Sequence, residues 1–158
     1  MNKIVSKLTI FFLLIGLTSC SYSPIFSDRN YNFEIDNIIL IGEKEINNVI
    51  ENKLKLIRND GSTNKKKYNI EIISKKNINT ISKDSKGDPL KFEMIAYVEY
   101  KLTHNGISLI KKKVKKNSIY NNDSDQFELE QSEKIILKNL SESISDIIIS
   151  SIINLDDN

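Results

Sequence analysis

The feature that most constrains the fold is a strict two-residue alternation over residues 90–103. One set of side chains is mostly charged, and the other set is apolar: Leu90, Phe92, Met94, Ala96, Val98, Tyr100 and Leu102. Successive side chains of a β-strand point to opposite faces, so this pattern gives one buried face and one open face. It predicts a half-buried strand of an antiparallel sheet, because strands buried on both faces are apolar throughout.

A tight turn follows this strand. Asn105-Gly106 is the strongest short signal for a two-residue hairpin turn. Such a turn pairs His104 with Ile107 and keeps the alternation through Leu109 on the return strand. The sequence therefore predicts a second antiparallel strand directly after the first.

The return strand cannot keep this alternation to its end. Unchanged, the alternation would turn three side chains toward the core: Lys111, Lys113 and Lys115. Burial of unpaired ammonium groups costs several kcal/mol. Either the strand leaves the helix-covered area here, or a β-bulge reverses its parity so that Val114 and Tyr120 turn inward. We favour the bulge.

The remaining patterns complete the fold. A strand is predicted over 32–41, a helix over 43–57, and a strand that starts at 67 and extends to 74 or as far as 81. Ser124 or Asp125 caps a long C-terminal helix. Its apolar stripe is Phe127, Ile135, Ile136, Leu140, Ile144, Ile147, Ile148 and Ile152. The predicted fold class is α+β: a single elongated domain with a four-stranded, mostly antiparallel sheet, two helices on one face, and the order β-α-β-β-β-α.

The N-terminus has the pattern of a secretory signal. Lys3 and Lys7 precede an apolar run over residues 8–17, which is shorter than the roughly 20 residues of a membrane-spanning helix. The tetrad Leu17-Thr18-Ser19-Cys20 looks like a bacterial lipobox, in which the cysteine is lipidated and the chain is cut before it. The alternative is an ordinary secretory signal with a chance cysteine. We favour the lipobox.

These features predict the domain organisation. The prediction is a signal peptide over 1–19, a lipidated tether over 20–31, the α+β domain over 32–154 and an acidic tail over 155–158. Acyl chains on Cys20 would anchor the chain stably, since each buried CH₂ contributes about 0.8 kcal/mol. Ser21 favours transport to the outer membrane, where the domain would face the periplasm.

Charge and composition exclude several functions. Residues 1–19 contain two lysines and no acid, so the 23 basic and 21 acidic residues of the chain become 21 of each after cleavage. A neutral exported domain does not suit a nucleic-acid binder. One histidine and one cysteine provide neither a metal site nor a nucleophile pair, and no glycine-rich phosphate loop occurs. We therefore expect no enzyme activity and no cofactor.

Two stretches resemble a known family. "CSYSPIF" starts at Cys20 and is similar to the Cys-x-aromatic-x-Pro-aliphatic-aromatic start of LptE, the LPS-assembly lipoprotein, of alphaproteobacterial type. Residues 118–148 resemble the strand end, short polar loop and long C-terminal helix of that family. The resemblance implies an outer-membrane lipoprotein that plugs the LPS-translocation β-barrel (LptD-type), helps that barrel assemble and binds lipopolysaccharide (LPS).

Lysines are the candidate LPS-binding residues. Residues 65–116 hold 14 lysines against five acids. The strongest local candidates are Lys111, Lys112, Lys113, Lys115 and Lys116, and residues 65–67 form a second cluster. The simpler interpretation is a solvated basic face neutralised by the acidic residues 117–158. The alternative function is another envelope lipoprotein module that binds a small ligand or tethers a different envelope complex.

Overall fold

The computed structural model describes residues 33–57 and 65–156. Its elements are β1 (Phe33–Gly42), α1 (Lys44–Ile57), β2 (Lys66–Lys83), β3 (Pro89–His104), β4 (Ile107–Asn121) and α2 (Gln126–Asp156). The four strands form one sheet in the order β1-β2-β3-β4, in which β1 and β2 are parallel and the other pairs antiparallel. The predicted fold class is confirmed. The predicted signal peptide, the lipobox and the tether lie outside the described residues.

The core lies between one face of the sheet and the two helices. On β3 the alternation places Met94, Ala96, Val98, Tyr100 and Leu102 fully inside. Leu90 has the same parity but is 49% exposed, because it lies at the end of the sheet that α1 does not cover. We call the helix-packed side the covered face and the other side the open face.

Helix α1 covers one half of the sheet. Its apolar stripe of Ile46, Ile50, Leu54 and Ile57 is buried together with Phe33 of β1. The ammonium group of Lys53 lies 2.6 Å from a carboxylate oxygen of Asp146 and so ties α1 to the C-terminal half of α2. With 14 residues, α1 is about 21 Å long, against about 46 Å for the 31 residues of α2.

The long helix begins at a predicted cap and ends beyond the predicted domain boundary. Asp125, one of the two predicted caps, is the residue that accepts the backbone N–H groups of Phe127 and Glu128, at 2.9 and 3.4 Å. At the other end the helix continues through Asp156, so the first two residues of the predicted acidic tail are helical. Leu155 packs partly against the core.

Part of the predicted apolar stripe of α2 is wrong. Phe127 and Ile135 are 64% and 60% exposed, and Ile147 is also exposed. The buried positions include three that the prediction omitted: Leu137, Ile149 and Ile153. The first turns of α2 extend beyond the end of α1, so apolar side chains there have no second helix to pack against.

Strand β1 leaves the sheet at Gly42, which has φ +100° and lies against the backbone of Ser74. The backbone N–H of Glu43 still donates to the carbonyl oxygen of Ser74 at 3.3 Å. The buried hydroxyl of Ser74 donates to Oδ1 of Asn47 in α1, at 2.7 Å. Beyond Ser74, β2 continues to Lys83 and pairs with β3 alone among the described strands.

Candidate functional site

The lysine cluster lies on β4, an edge strand whose register is set by one bulge. Leu102 pairs with Ile110 and Thr103 pairs with Ser108, so Leu109 is the extra residue. The predicted bulge is confirmed, and the expected inward residues Val114 and Tyr120 pack partly against the core. The bulge therefore resolves the conflict between alternation and the cost of buried lysines.

The bulge divides the five candidate lysines between the two faces of the sheet. Lys113 and Lys115 pair with Glu99 and Tyr97, so they share the open face with Lys111. Lys112 and Lys116 pair with Tyr100 and Ala96, two buried residues, and therefore emerge on the covered side of the edge. The structure brings the five lysines to one strand but not to one surface.

Two of the open-face lysines are held by an acid. Lys111 and Lys113 place their ammonium nitrogens 3.3 and 3.6 Å from the two carboxylate oxygens of Glu99. Partial burial raises the pKa of Glu99, but the hydrogen bond from Lys111 and the charges of Lys113 and Lys111 outweigh it. The net pKa lies below the ordinary value of 4.5. This carboxylate neutralises part of the positive charge that the cluster presents.

The other three lysines have no such partner. Within residues 33–57 and 65–156, Lys112, Lys115 and Lys116 make no salt bridge. Lys112 and Lys115 are exposed, and Lys116 is half-buried. An anion approaching β4 therefore meets two exposed lysines that form no salt bridge with the described residues: Lys115 on the open face and Lys112 on the covered side.

Lys112 also borders a groove that the sequence did not indicate. The groove has a volume of about 850 Å³ and runs between β4 and the C-terminal half of α2. Its apolar wall includes Ile110, Ile147 and Leu155. Ile147 was predicted to lie in the buried stripe of the helix, so no sequence signal pointed to this groove.

The second lysine cluster lies apart from the first. Lys66 and Lys67 begin β2 and Lys65 directly precedes it, two strands away from β4 in the sheet order. The carbonyl oxygen of Lys67 accepts a hydrogen bond from Nδ1 of His104 at 2.7 Å. The ring of His104 packs edge-on against Tyr68, with centroids 5.7 Å apart, so this histidine has a structural role.

A second polar link joins β4 to the start of α2. The hydroxyl of Tyr120 donates to a carboxylate oxygen of Glu133 at 2.5 Å. Burial, the hydrogen bond and the negative charge of Glu133 all raise the pKa of Tyr120. The tyrosine therefore stays neutral and structural at physiological pH.

The described residues contain neither a candidate metal-binding cluster nor a candidate membrane-spanning helix. Residues 33–57 and 65–156 contain no cluster of three or more His, Cys, Asp and Glu side chains suited to a metal ion. In the same residues, no helix has both the length and the apolar character needed to cross a bilayer.

Several solved structures with this fold are lipoproteins. Rare lipoprotein B from Shewanella oneidensis superposes with a TM-score of 0.56 at 17% identity, over 74% of this chain and 93% of that one. The fold is that of rare lipoprotein B. An uncharacterized lipoprotein B from Nitrosomonas europaea gives 0.58 at 13% identity, over 79% of this chain and 88% of that one. A putative lipoprotein from Caulobacter crescentus gives 0.51 at 12% identity, over 74% and 88%.

The likeness rests on structure alone. No protein-family model and no curated protein sequence matches the chain. At these identities the rare lipoprotein B fold is shared, while side chains such as the β4 lysines are not carried over from those proteins. These structural neighbours therefore support the predicted LptE-type fold, while no sequence match adds to that support.

Proposed function

We propose that this chain is an outer-membrane lipoprotein that acts as plug and assembly partner of the LPS-translocation β-barrel. The observation that carries the proposal is the rare lipoprotein B fold, which occurs here in a chain whose Cys20 ends a lipobox-like tetrad. An elongated domain with one open sheet face fits inside a barrel wall, because that face offers mixed polar and apolar side chains such as Ile95 and Tyr97.

We propose further that LPS phosphates bind along β4. Lys111 and Lys113 both form salt bridges with Glu99, which offsets part of their charge. Lys112 and Lys115 therefore supply the strongest attraction for a phosphate. Lysine acts on phosphate as a flexible point charge and does not need the fixed fork geometry of arginine. The groove beside Lys112 has apolar walls next to this charge, as an amphiphile requires.

The same groove supports a second candidate function. A volume of about 850 Å³ lies within the range of small-molecule sites. A lipoprotein that binds a small amphiphile without any barrel partner would use this groove in the same way. The two functions differ in whether a barrel protein accompanies the chain.

Affinity purification from detergent-solubilised outer membranes tests the main proposal. We expect a C-terminally tagged chain to co-purify in stoichiometric amount with one large barrel protein, and depletion of the chain to lower the level of that barrel. Cys20→Ser is the matched variant, because it removes the acylated thiol and leaves the domain unchanged. We expect the Cys20→Ser protein to carry no acyl chains and therefore to lose the membrane attachment that those chains provide.

Two results would contradict the proposal. One is a tagged chain that purifies alone while retaining a small amphiphile, which favours the second candidate. The other is an unmodified Cys20 in the mature protein by mass spectrometry, which removes the lipoprotein assignment.

A further inference from the structure

The sheet is incomplete at one end. It is four strands wide where β1 is present, but β1 ends at Gly42 opposite Ser74. Residues 75–80 of β2 continue the regular ladder with β3 and have no neighbour on their other side among the described strands. We call residues 75–80 the β2 edge. We propose that the β2 edge receives an extended polypeptide strand from a partner, which pairs with it in the position that β1 vacates.

The backbone of the β2 edge points outward at alternate residues. The nitrogen and the carbonyl oxygen of Ser74 both face Gly42, and the Ser74 oxygen accepts the N–H of Glu43. Since backbone groups alternate in side along a strand, Lys76, Ile78 and Thr80 also present their N–H and C=O groups at this edge. The edge spans six residues, about 20 Å, which is a usual length for a strand.

The β1 and β4 edges carry features that hinder such pairing within the paired strand, whereas the β2 edge has lysines only at its start and a register shift only after its end. Natural proteins protect edges with lysines and bulges. The β4 edge carries five lysines between Lys111 and Lys116 and the bulge at Leu109. The β1 edge carries a bulge at the exposed Asp36. On the β2 edge the lysines are Lys75 and Lys76, and the register with β3 shifts after Thr80. The stretch between them, residues 77–80, reads Asn-Ile-Asn-Thr and has no charge, no proline and no glycine.

Beside the β2 edge, no helix of the described residues packs over the covered face of the sheet. Ile78 is 40% exposed there, and Leu90 on the neighbouring strand is the exposed exception in the β3 alternation. The missing strand and the missing second helix coincide at this end of the domain. A strand with apolar side chains on its inward face would satisfy the open backbone groups and cover Ile78 in one step.

The chemistry of the edge selects the occupant. Open N–H and C=O groups need amide partners, so a polypeptide strand fits and a lipid does not. Lys75, Lys76 and Lys83 provide the only charges between residues 75 and 83, so the partner strand carries acids at its ends. A second copy is disfavoured, because antiparallel self-pairing centred on Asn79 sets Lys75 against Lys83.

The test uses a synthetic peptide and the ¹⁵N-labelled full chain in detergent micelles. The probe is the acetylated peptide Glu-Val-Thr-Val-Thr-Val-Glu, and the matched control is the same peptide with its edge-facing amides N-methylated. We expect the probe to slow amide hydrogen exchange at Lys76, Ile78 and Thr80 and to leave the amides of β4 unchanged. The methylated peptide should have no effect, because it keeps every side chain but cannot pair.

Two variants locate the binding site. Thr80→Pro removes a backbone N–H that points away from β3, so it leaves the hydrogen bonds between β2 and β3 in place. We expect it to weaken peptide binding about tenfold, because the peptide loses one hydrogen bond and meets the proline ring. Thr80→Val keeps the N–H and should bind as the unchanged chain does. Folding of each variant is checked by the dispersion of its amide spectrum.

Three results would overturn the inference: unchanged exchange at the three amides at millimolar peptide, equal binding of the methylated peptide, or protection of these amides before any peptide is added. The last would mean that this chain or a second copy already fills the edge. Neither a barrel nor LPS takes part in the experiment, so its outcome is independent of the proposed function.

Discussion

Gly42 and Ser74 lie so close together that a Cβ atom on residue 42 would stand 2.0 Å from the carbonyl oxygen of Ser74. This contact marks the point where β1 turns out of the sheet into α1. It also marks the last residue of β2 that pairs with β1. The position therefore determines both the packing of α1 and the extent of the free edge.

Replacement of this glycine should be costly. We expect Gly42→Ala to lower the free energy of unfolding by about 3 kcal/mol or more, because φ +100° strains an L-residue and the added methyl meets backbone that cannot move aside. Gly87→Ala is the matched control, since Gly87 has φ +94° with no atom within 4 Å of the added Cβ. Its cost should be the backbone strain alone, about 1 kcal/mol. Urea denaturation measures both, and equal losses would contradict the steric account.

A partly buried hydroxyl pair links the sheet to α2. The hydroxyl of Tyr100 lies 2.6 Å from Oγ of Ser151, which itself donates to the carbonyl oxygen of Ile148. We expect Tyr100→Phe to lower the free energy of unfolding by about 1 kcal/mol, because the partly buried Oγ of Ser151 loses its hydrogen-bond donor. Tyr97→Phe, on the open face of the same strand, should change stability by less than about 0.5 kcal/mol. A loss at Tyr97 as large as that at Tyr100 would refute this assignment.

The lysine cluster gives a pH dependence of known sign. The pKa of Glu99 is lower in the folded chain than in the unfolded chain, so its ionised form stabilises the fold above about pH 4.5. This contribution is lost as the pH falls through the lowered folded pKa. Comparison of the unchanged chain with Glu99→Gln by thermal unfolding should therefore show a difference at pH 7 that disappears in acid.

Salt provides the control for that experiment. The ammonium groups of Lys111 and Lys113 are well exposed, so about 0.5 M salt should reduce the difference at pH 7. A difference that persisted in both acid and salt would mean that the glutamine acts through packing rather than charge.

The proposed LPS binding predicts that affinity for LPS depends on the β4 lysines that form no salt bridge. If phosphates bind along β4, Lys112→Ala and Lys115→Ala should each weaken binding to LPS-containing vesicles about fivefold, the effect of about 1 kcal/mol per charge. Lys138→Ala is the control, because Lys138 is an exposed lysine on α2 with Glu142 nearby. Vesicle co-sedimentation measures the affinities. An equal effect at Lys138 would indicate general attraction to a charged surface instead of a site on β4.

Local rules predicted most of the fold. The alternation over β3 and the Asn105-Gly106 turn defined the hairpin, and the need to avoid buried lysines predicted the bulge on β4. These features depend on neighbours a few residues apart, which a single sequence displays directly. The exposed Phe127 and Ile135 were misassigned, because whether an apolar helical residue is buried depends on what lies beside it.

The sequence by itself determined the element order, the face of each strand that becomes buried and the presence of a bulge, since side-chain parity and turn chemistry are properties of adjacent residues. Only the tertiary structure decided that the bulge falls at Leu109, that Glu99 holds two of the five lysines, that a groove opens beside Ile147 and that β2, among the described strands, pairs with β3 alone beyond Ser74. Each of these depends on the relative lengths and positions of elements far apart in the chain. Because α1 is shorter than α2, it covers only part of the sheet. The close contact of Gly42 with Ser74 sets where β1 ends.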